Sequence, residues 1–162
     1  MGLRSHAAAT MAALRQRAIT AILAHRVRAR HPTLVAHPTV IWDYGYRDID
    51  AVEIGRDVCV GPYAEILVYR RSPRTSVPGR LILGDGVHIG FGTDVRAAGG
   101  TIRIGSGTSI AQNCTLVAAN HAVRPGAHFR ARWDEDRCGI EIGCNVWVGA
   151  GCVILAGAVI GD

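Results

Sequence analysis

Aliphatic residues recur every six positions through most of the chain. Four blocks carry the pattern: Ile54, Val60 and Ile66; Leu83, Ile89 and Val95; Ile104, Ile110 and Leu116; and Ile142, Val148 and Ile154, with Ile160 opening a fifth. A Gly often follows the key aliphatic, as at Gly55, Gly61, Gly84, Gly90, Gly105, Gly143, Gly149 and Gly161. Four positions after the aliphatic stands a small or β-branched side chain, among them Val58, Ala64, Val87, Thr93, Thr108, Cys114, Val146, Cys152 and Ala158. Each block also opens on an aliphatic two positions upstream of the first key one, in AVEIG, RLILG, TIRIG and GIEIG. That spacing puts both side chains on one face of a strand. A period of six suits neither an amphipathic helix nor a hairpin sandwich. It suits short flat strands joined by sharp corners, with three hexads making a triangular coil of 18 residues. Stacked coils would align Ile54, Leu83, Ile104, Ile142 and Ile160 in one internal column. Gly beside a corner would give the backbone its freedom, and the residue at the fourth offset would fill a narrow interior. Cys114 and Cys152 are therefore expected as core filler, the usual behaviour of a free buried thiol.

The expected fold class is all-β, a parallel helix of strands with an N-terminal α-helix. Ala7–Arg30 is rich in Ala, Leu and Arg without Pro or Gly, which predicts a helix. Pro32 and Pro38 mark its exit. A stack of coils exposes strand edges at its ends and needs caps, so residues 1–50 are expected as a basic helix and cap, with 31–50 forming an incomplete first coil. Residues 51–162 form the repeat. Two stretches interrupt it: the polar loop 68–80 and the loop 122–139, long enough to suggest function or disorder.

A length of 162 residues suits one domain, and 49% hydrophobic with 19% charged residues excludes a disordered chain. The net charge of +5 is unevenly spread: all 18 basic residues are Arg, and Arg4, Arg15, Arg17, Arg26, Arg28 and Arg30 precede the first acid, Asp43. This basic start reads as a solvated helix face, with weak contact to a membrane surface as its other use. No nucleic acid is expected, because no stacking aromatics interleave with the arginines. The five cysteines are odd in number and lack any CxxC, so reduced thiols in a cytoplasmic protein are expected. The apolar run Ala18–Leu23 is too short to span a bilayer. Arg15 and Arg17 interrupt any signal-peptide core, and MGLRSH has His6 where myristoylation needs Ser or Thr.

His121 closes the third block, five positions after Leu116, an offset that points away from the core, and it immediately precedes the long loop. Histidine can accept a proton near neutral pH, which makes this a candidate general base. Trp147 holds the same outward offset in its own hexad.

The segment VAANH, the loop after it and IEIGCNVWVGAGCVILAGAVIGD together resemble the hexapeptide-repeat O-acetyltransferases that act on maltose, galactosides and capsule or lipopolysaccharide sugars. The likeness runs from about Ile54 to Asp162. It implies a left-handed parallel β-helix, a homotrimer with active sites between subunits, and acetyl transfer from acetyl-CoA to a sugar-type hydroxyl. On this resemblance His121 takes the acceptor proton and the alkoxide attacks the thioester directly, with backbone N–H groups stabilising the oxyanion. Trp147, Gly149 and Ala150 are implied in acetyl-CoA binding, and Asp94 and Asn120 in acceptor binding. Arg124, Arg130 and Arg132 offer charge for coenzyme phosphates, but a solvated loop is the better account of them. No metal is implied. Relatives continue past the point matched by Asp162 through a further coil carrying coenzyme contacts and a cap, so a truncated chain or a reduced coenzyme site is expected. Ala156 stands where relatives commonly have Pro.

Two other readings compete. A γ-class carbonic anhydrase shares the fold but needs three zinc-binding His, and His88, His121 and His128 are poorly spaced for it. A non-catalytic scaffold is the second, favoured by the early end of the repeat and opposed by the His–loop–Trp combination.

Overall fold

The computed structural model describes residues 2–44 and 48–162. One helix, α1 (Gly2–Arg30), opens the chain. Two strands follow, β1 (Val35–Ala36) and β2 (Ile41–Tyr44), and then a short 3-10 turn at Ile49–Ala51. The repeat supplies β3 (Val52–Ile54), β4 (Cys59–Val60), β5 (Glu65–Tyr69), β6 (Arg80–Leu83), β7 (His88–Ile89) and β8 (Asp94–Ala98). It continues with β9 (Thr101–Ile104), β10 (Ser109–Ile110), β11 (Thr115–Val117), β12 (Ile140–Ile142), β13 (Trp147–Val148), β14 (Val153–Leu155) and β15 (Ala158–Ile160).

These strands form three sheets of five, all with parallel pairing. The first sheet is β1-β4-β7-β10-β13, the second β2-β5-β8-β11-β14 and the third β3-β6-β9-β12-β15. Each strand thus pairs with the strand three ahead of it, and the chain visits the three sheets in rotation. The segment 31–50 takes part: β1 and β2 are paired with β4 and β5.

The period of six is the cause. In the third sheet Ile54, Leu83, Ile104, Ile142 and Ile160 lie in register, the column that the spacing predicts. Val60, Ile89, Ile110 and Val148 align in the first sheet. Trp42, Ile66, Val95, Leu116 and Ile154 align in the second. Apart from the last-row Ile160, these side chains are buried and form one continuous core.

The fourth-offset residues Val58, Ala64, Val87, Thr93, Thr108 and Cys114 are wholly buried between the columns. The two threonines carry their hydroxyls inside at no loss of hydrogen bonding. Thr93 Oγ1 donates to the Ala111 carbonyl at 2.9 Å and accepts from the Cys114 amide at 3.2 Å. Thr108 Oγ1 donates to the Gly143 carbonyl at 2.7 Å and accepts from the Val146 amide at 3.1 Å. Cys152 departs from expectation: it is exposed, because it precedes β14, which has a strand on one side only.

Gly55, Gly61, Gly84, Gly90, Gly105 and Gly143 are explained by close approach to the next row rather than by unusual dihedrals, whereas Gly149 and Gly161 face open space. A Cβ on Gly90 would lie 2.5 Å from the Ala111 carbonyl carbon in the next row. The left-handed conformation falls later in each corner, at Asp57, Gly86, Gly107 and Asn145, and at Tyr63, Gly92, Asn113 and Gly151. Asn, Asp and Gly are the residues that tolerate it, and Tyr63 is the exception.

Helix α1 starts earlier than the composition predicts, at Gly2. Leu23 and Val27 on its second half are buried in the common core, with Ile19 and Ala24 packed beside them. Arg28 donates to the Ala36 carbonyl at 3.0 Å and Arg30 pairs with Asp50 at 2.7 Å, fixing the helix against the first strands. No helix among the described residues is long and apolar enough to cross a membrane.

Truncating a column residue removes packing on every side. Ile104→Ala, at a position 1% exposed, is expected to cost about 2–5 kcal/mol. Val159→Ala, at a position 79% exposed, is expected to stay within about 0.5 kcal/mol. Urea unfolding of the two variants checks the difference.

Candidate functional site

Alternation along a strand sends every second side chain outward. On the second sheet this places Asp43, Leu67, Arg96 and Val117 in one cross-strand row. Tyr69 and Ala98 form the start of the next row. Together they floor a groove of about 990 Å³, within the size range of small-ligand sites. Helix α1 contributes one wall through Arg15, Gln16 and Ile19. The loop after β5 contributes Arg71, Ser72, Pro73 and Arg74. The segment after β11 contributes Ala119, Asn120, His121 and Trp133.

The two interrupting loops are ordered by each other. His121 and Trp133 form an antiparallel bridge. The Ala122 amide donates to the Arg132 carbonyl at 3.0 Å, and the Asp134 amide to the Asn120 carbonyl at 2.9 Å. The Trp133 amide reaches across to the Arg74 carbonyl at 3.0 Å. Glu135 completes the clasp. Its Oε1 accepts from Thr75 Oγ1 and from the Ser76 amide, both at 2.8 Å, and its Oε2 accepts from Ser76 Oγ at 3.1 Å. The Trp133 indole is partly buried over Gly99, where φ is +62° and any Cβ would run into the ring.

The groove carries more positive than negative charge. Among the described residues its only carboxylate is Asp43, whose Oδ2 accepts from the Tyr69 hydroxyl at 3.0 Å. Burial, then the Asp43 hydrogen bond and charge, push the Tyr69 phenol up to about 12, so it stays a donor at neutral pH. Arg96 is neutralised by Asp94, at 2.6 Å, and by Glu65, at 3.7 Å. Among the described residues Arg15, Arg71 and Arg74 make no ion pair.

The expected site residues fall in three places. His121 and Asn120 are exposed and line the groove. The His121 ring meets Phe129 edge-on with centroids 5.4 Å apart, and Phe129 in turn stacks on His128 at 4.7 Å. Asp94 lies one row away on the same sheet face and reaches the groove only through Arg96. Its Oδ1 is buried with no partner among the described residues. Trp147, Gly149 and Ala150 are elsewhere: Trp147 projects from the first sheet beside Ser109, 78% exposed, and the other two form the corner after it. None of the three lines the groove. Arg124, Arg130 and Arg132 are exposed on the long loop, and Arg130 lies over the Phe129 ring at 5.4 Å.

The residues not anticipated are Arg15, Asp43, Tyr69, Arg71, Arg74, Arg96 and Trp133. Strand alternation in EILVY and DVRAA could have pointed to Tyr69 and Arg96, since both are outward positions. Trp133 and the loop arginines have no periodic signal. His88 sits on the first sheet, apart from His121, and no group of three or more His, Cys, Asp or Glu among the described residues is arranged to hold a metal. No family model matches this chain, and no solved structure matches it.

The clasp carries a pH dependence. The Ser76 amide, and then the Thr75 and Ser76 hydroxyls, hold Glu135 below the ordinary glutamate value. A lowered folded-state value means the carboxylate stabilises the clasp fully above the ordinary range, and that this is lost as pH falls through the lowered value. Glu135→Ala is expected to speed hydrogen exchange of the 70–79 and 122–139 amides at pH 7. The gap between variant and wild type should close in acid. A gap that does not change with pH would show that the carboxylate charge is not what holds the loops.

Proposed function

We propose that the chain is an acyltransferase akin to the hexapeptide-repeat O-acetyltransferases, its three sheets winding as a left-handed parallel β-helix. It moves an acetyl group from acetyl-CoA to a hydroxyl of a sugar or polysaccharide precursor, with His121 as the general base. The observation that carries this reading is the position of His121. It stands with Asn120 on the rim of a ligand-sized groove, held there by a loop clasped to its neighbour. Among the described residues neither ring nitrogen of His121 hydrogen-bonds another protein group, which leaves the imidazole available to an acceptor.

In this mechanism the acceptor hydroxyl lies in the groove against His121. Its oxygen forms the new bond to the acetyl carbonyl carbon while the imidazole takes its proton. The thioester C–S bond breaks, and the departing sulfur receives that proton from His121 as the coenzyme leaves as a thiol. No covalent acyl-enzyme and no metal enter the scheme. Asn120 and the Tyr69–Asp43 pair supply polar contacts for acceptor hydroxyls.

In this reading acetyl-CoA lies over the exposed corner at Trp147, Gly149 and Ala150. The space where a Gly149 Cβ would point holds no protein atom within 4 Å, and the indole beside it is free to cover an extended ligand. Within one chain this surface and the groove lie on different sheets. The proposal therefore includes a homotrimer, in which the Trp147 surface of one copy faces the His121 groove of the next. The cysteines are all unpaired thiols, which suits a cytoplasmic enzyme.

His121→Ala is expected to lower acetyl transfer by about 10²–10⁴-fold, read as coenzyme A thiol release with a panel of sugar acceptors. Unchanged turnover would remove His121 from the mechanism. Sedimentation is expected to give a species of three 17.2 kDa chains for both wild type and variant. A monomer that still turns over would sink the shared site.

A further inference from the structure

We infer that the groove over the second sheet is built for a phosphorylated sugar, with its phosphate held by Arg15, Arg71 and Arg74. The inference rests on the reading of this groove as the acceptor site and narrows the acceptor to an anionic one.

Three arginines line one cavity from two separate parts of the chain, helix α1 and the loop after β5. None of them has an acid of its own among the described residues. Elsewhere the chain does pair its arginines: Arg56 with Asp85 at 2.8 Å, and Arg96 with Asp94 at 2.6 Å. The carboxylate of Asp43 in the groove is already engaged by the Tyr69 hydroxyl. Like charges gathered around a partly enclosed space repel one another until an anion enters. Guanidinium forks match the several acceptor oxygens of a phosphate group, and such charge-assisted bonds are among the strong ones.

The rest of the groove suits the body of a sugar. Leu67, Val117 and the Trp133 indole give an apolar surface for one face of a pyranose ring. Asn120 and the Tyr69–Asp43 pair offer donors and acceptors for its hydroxyls, and His121 stands at the rim where one hydroxyl would react. An uncharged sugar would leave the three arginines unmatched. Coenzyme A also carries phosphates, so the same chemistry has two possible sources, and the test separates them.

The experiment is equilibrium binding to the full-length chain by calorimetry, with glucose 1-phosphate, inorganic phosphate, glucose and coenzyme A as probes. Glucose 1-phosphate should bind at least about 100-fold more tightly than glucose, since hydrogen bonds to charged groups contribute roughly tenfold or more each. The affinity should fall with added salt. Arg71→Gln/Arg74→Gln should weaken glucose 1-phosphate by about tenfold per arginine removed and leave coenzyme A unchanged. Arg103→Gln, on the outer face of the third sheet and paired with Glu141, serves as the control for charge alone and should change neither. Equal binding of glucose and glucose 1-phosphate, or no binding of either phosphate probe, would overturn the inference. So would a double variant that loses coenzyme A while keeping the sugar phosphate. Binding needs no turnover, so a protein that binds glucose 1-phosphate as expected yet transfers no acetyl group would overturn the proposed reaction and leave the anion site standing.

Discussion

Each row of the structure lies so close to the next that the backbone itself becomes the packing surface. At Gly90 a side chain would collide with Ala111, and at Gly105 with Gly143. This approach forces strict register, because a shift of one residue would drive a Cβ into a carbonyl and turn the aliphatic column outward. Register in turn aligns the outward positions. Asp43, Leu67, Arg96 and Val117 come from four separate strands and share one row only because their inward neighbours Trp42, Ile66, Val95 and Leu116 are locked in a column. The groove floor is a by-product of core packing.

The columns were legible because a period of six repeats one environment many times. Ile54, Leu83, Ile104, Ile142 and Ile160 each pair with the next of the series, so their spacing carries the pairing. The first row was less legible. Its inward positions hold Ala36 and Trp42, and a wholly buried Trp where later rows have Ile, Val or Leu breaks the aliphatic pattern without breaking the geometry. The role of the corner glycines was misread for a physical reason. Both tight dihedrals and close approach call for Gly, and only the structure separates Gly90, which lacks room, from Gly92, which has a positive φ of 62°.

The candidate site was half legible. His121 stands out because its offset and its place before the loop are both positions in a repeat. Asp94 holds a position in the repeat too, yet it does not line the groove and pairs instead with Arg96, a neighbour that alternation alone identifies as outward. The walls were not legible. Trp133 reaches the groove by folding back against His121 and Arg74, and Arg15 arrives on a helix whose contact with the sheets has no signature in its own composition.

The floor and the walls therefore answer to different forces. The floor is set by buried columns, where one lost methylene costs on the order of 1 kcal/mol. The walls are set by a few exposed hydrogen bonds around Glu135, for which water competes. Loop residues such as Arg71, Arg74 and Asn120 can change without disturbing a column, so the groove can be refitted to a different ligand while the scaffold stays as it is. The clasp also ties the arginine wall to the histidine wall through the bond between the Trp133 amide and the Arg74 carbonyl. A ligand whose anionic end draws in Arg71 and Arg74 would by that connection bear on the loop that carries His121. The arginine wall and the histidine wall are thus joined through the two clasped loops, over a sheet held in register by its buried columns.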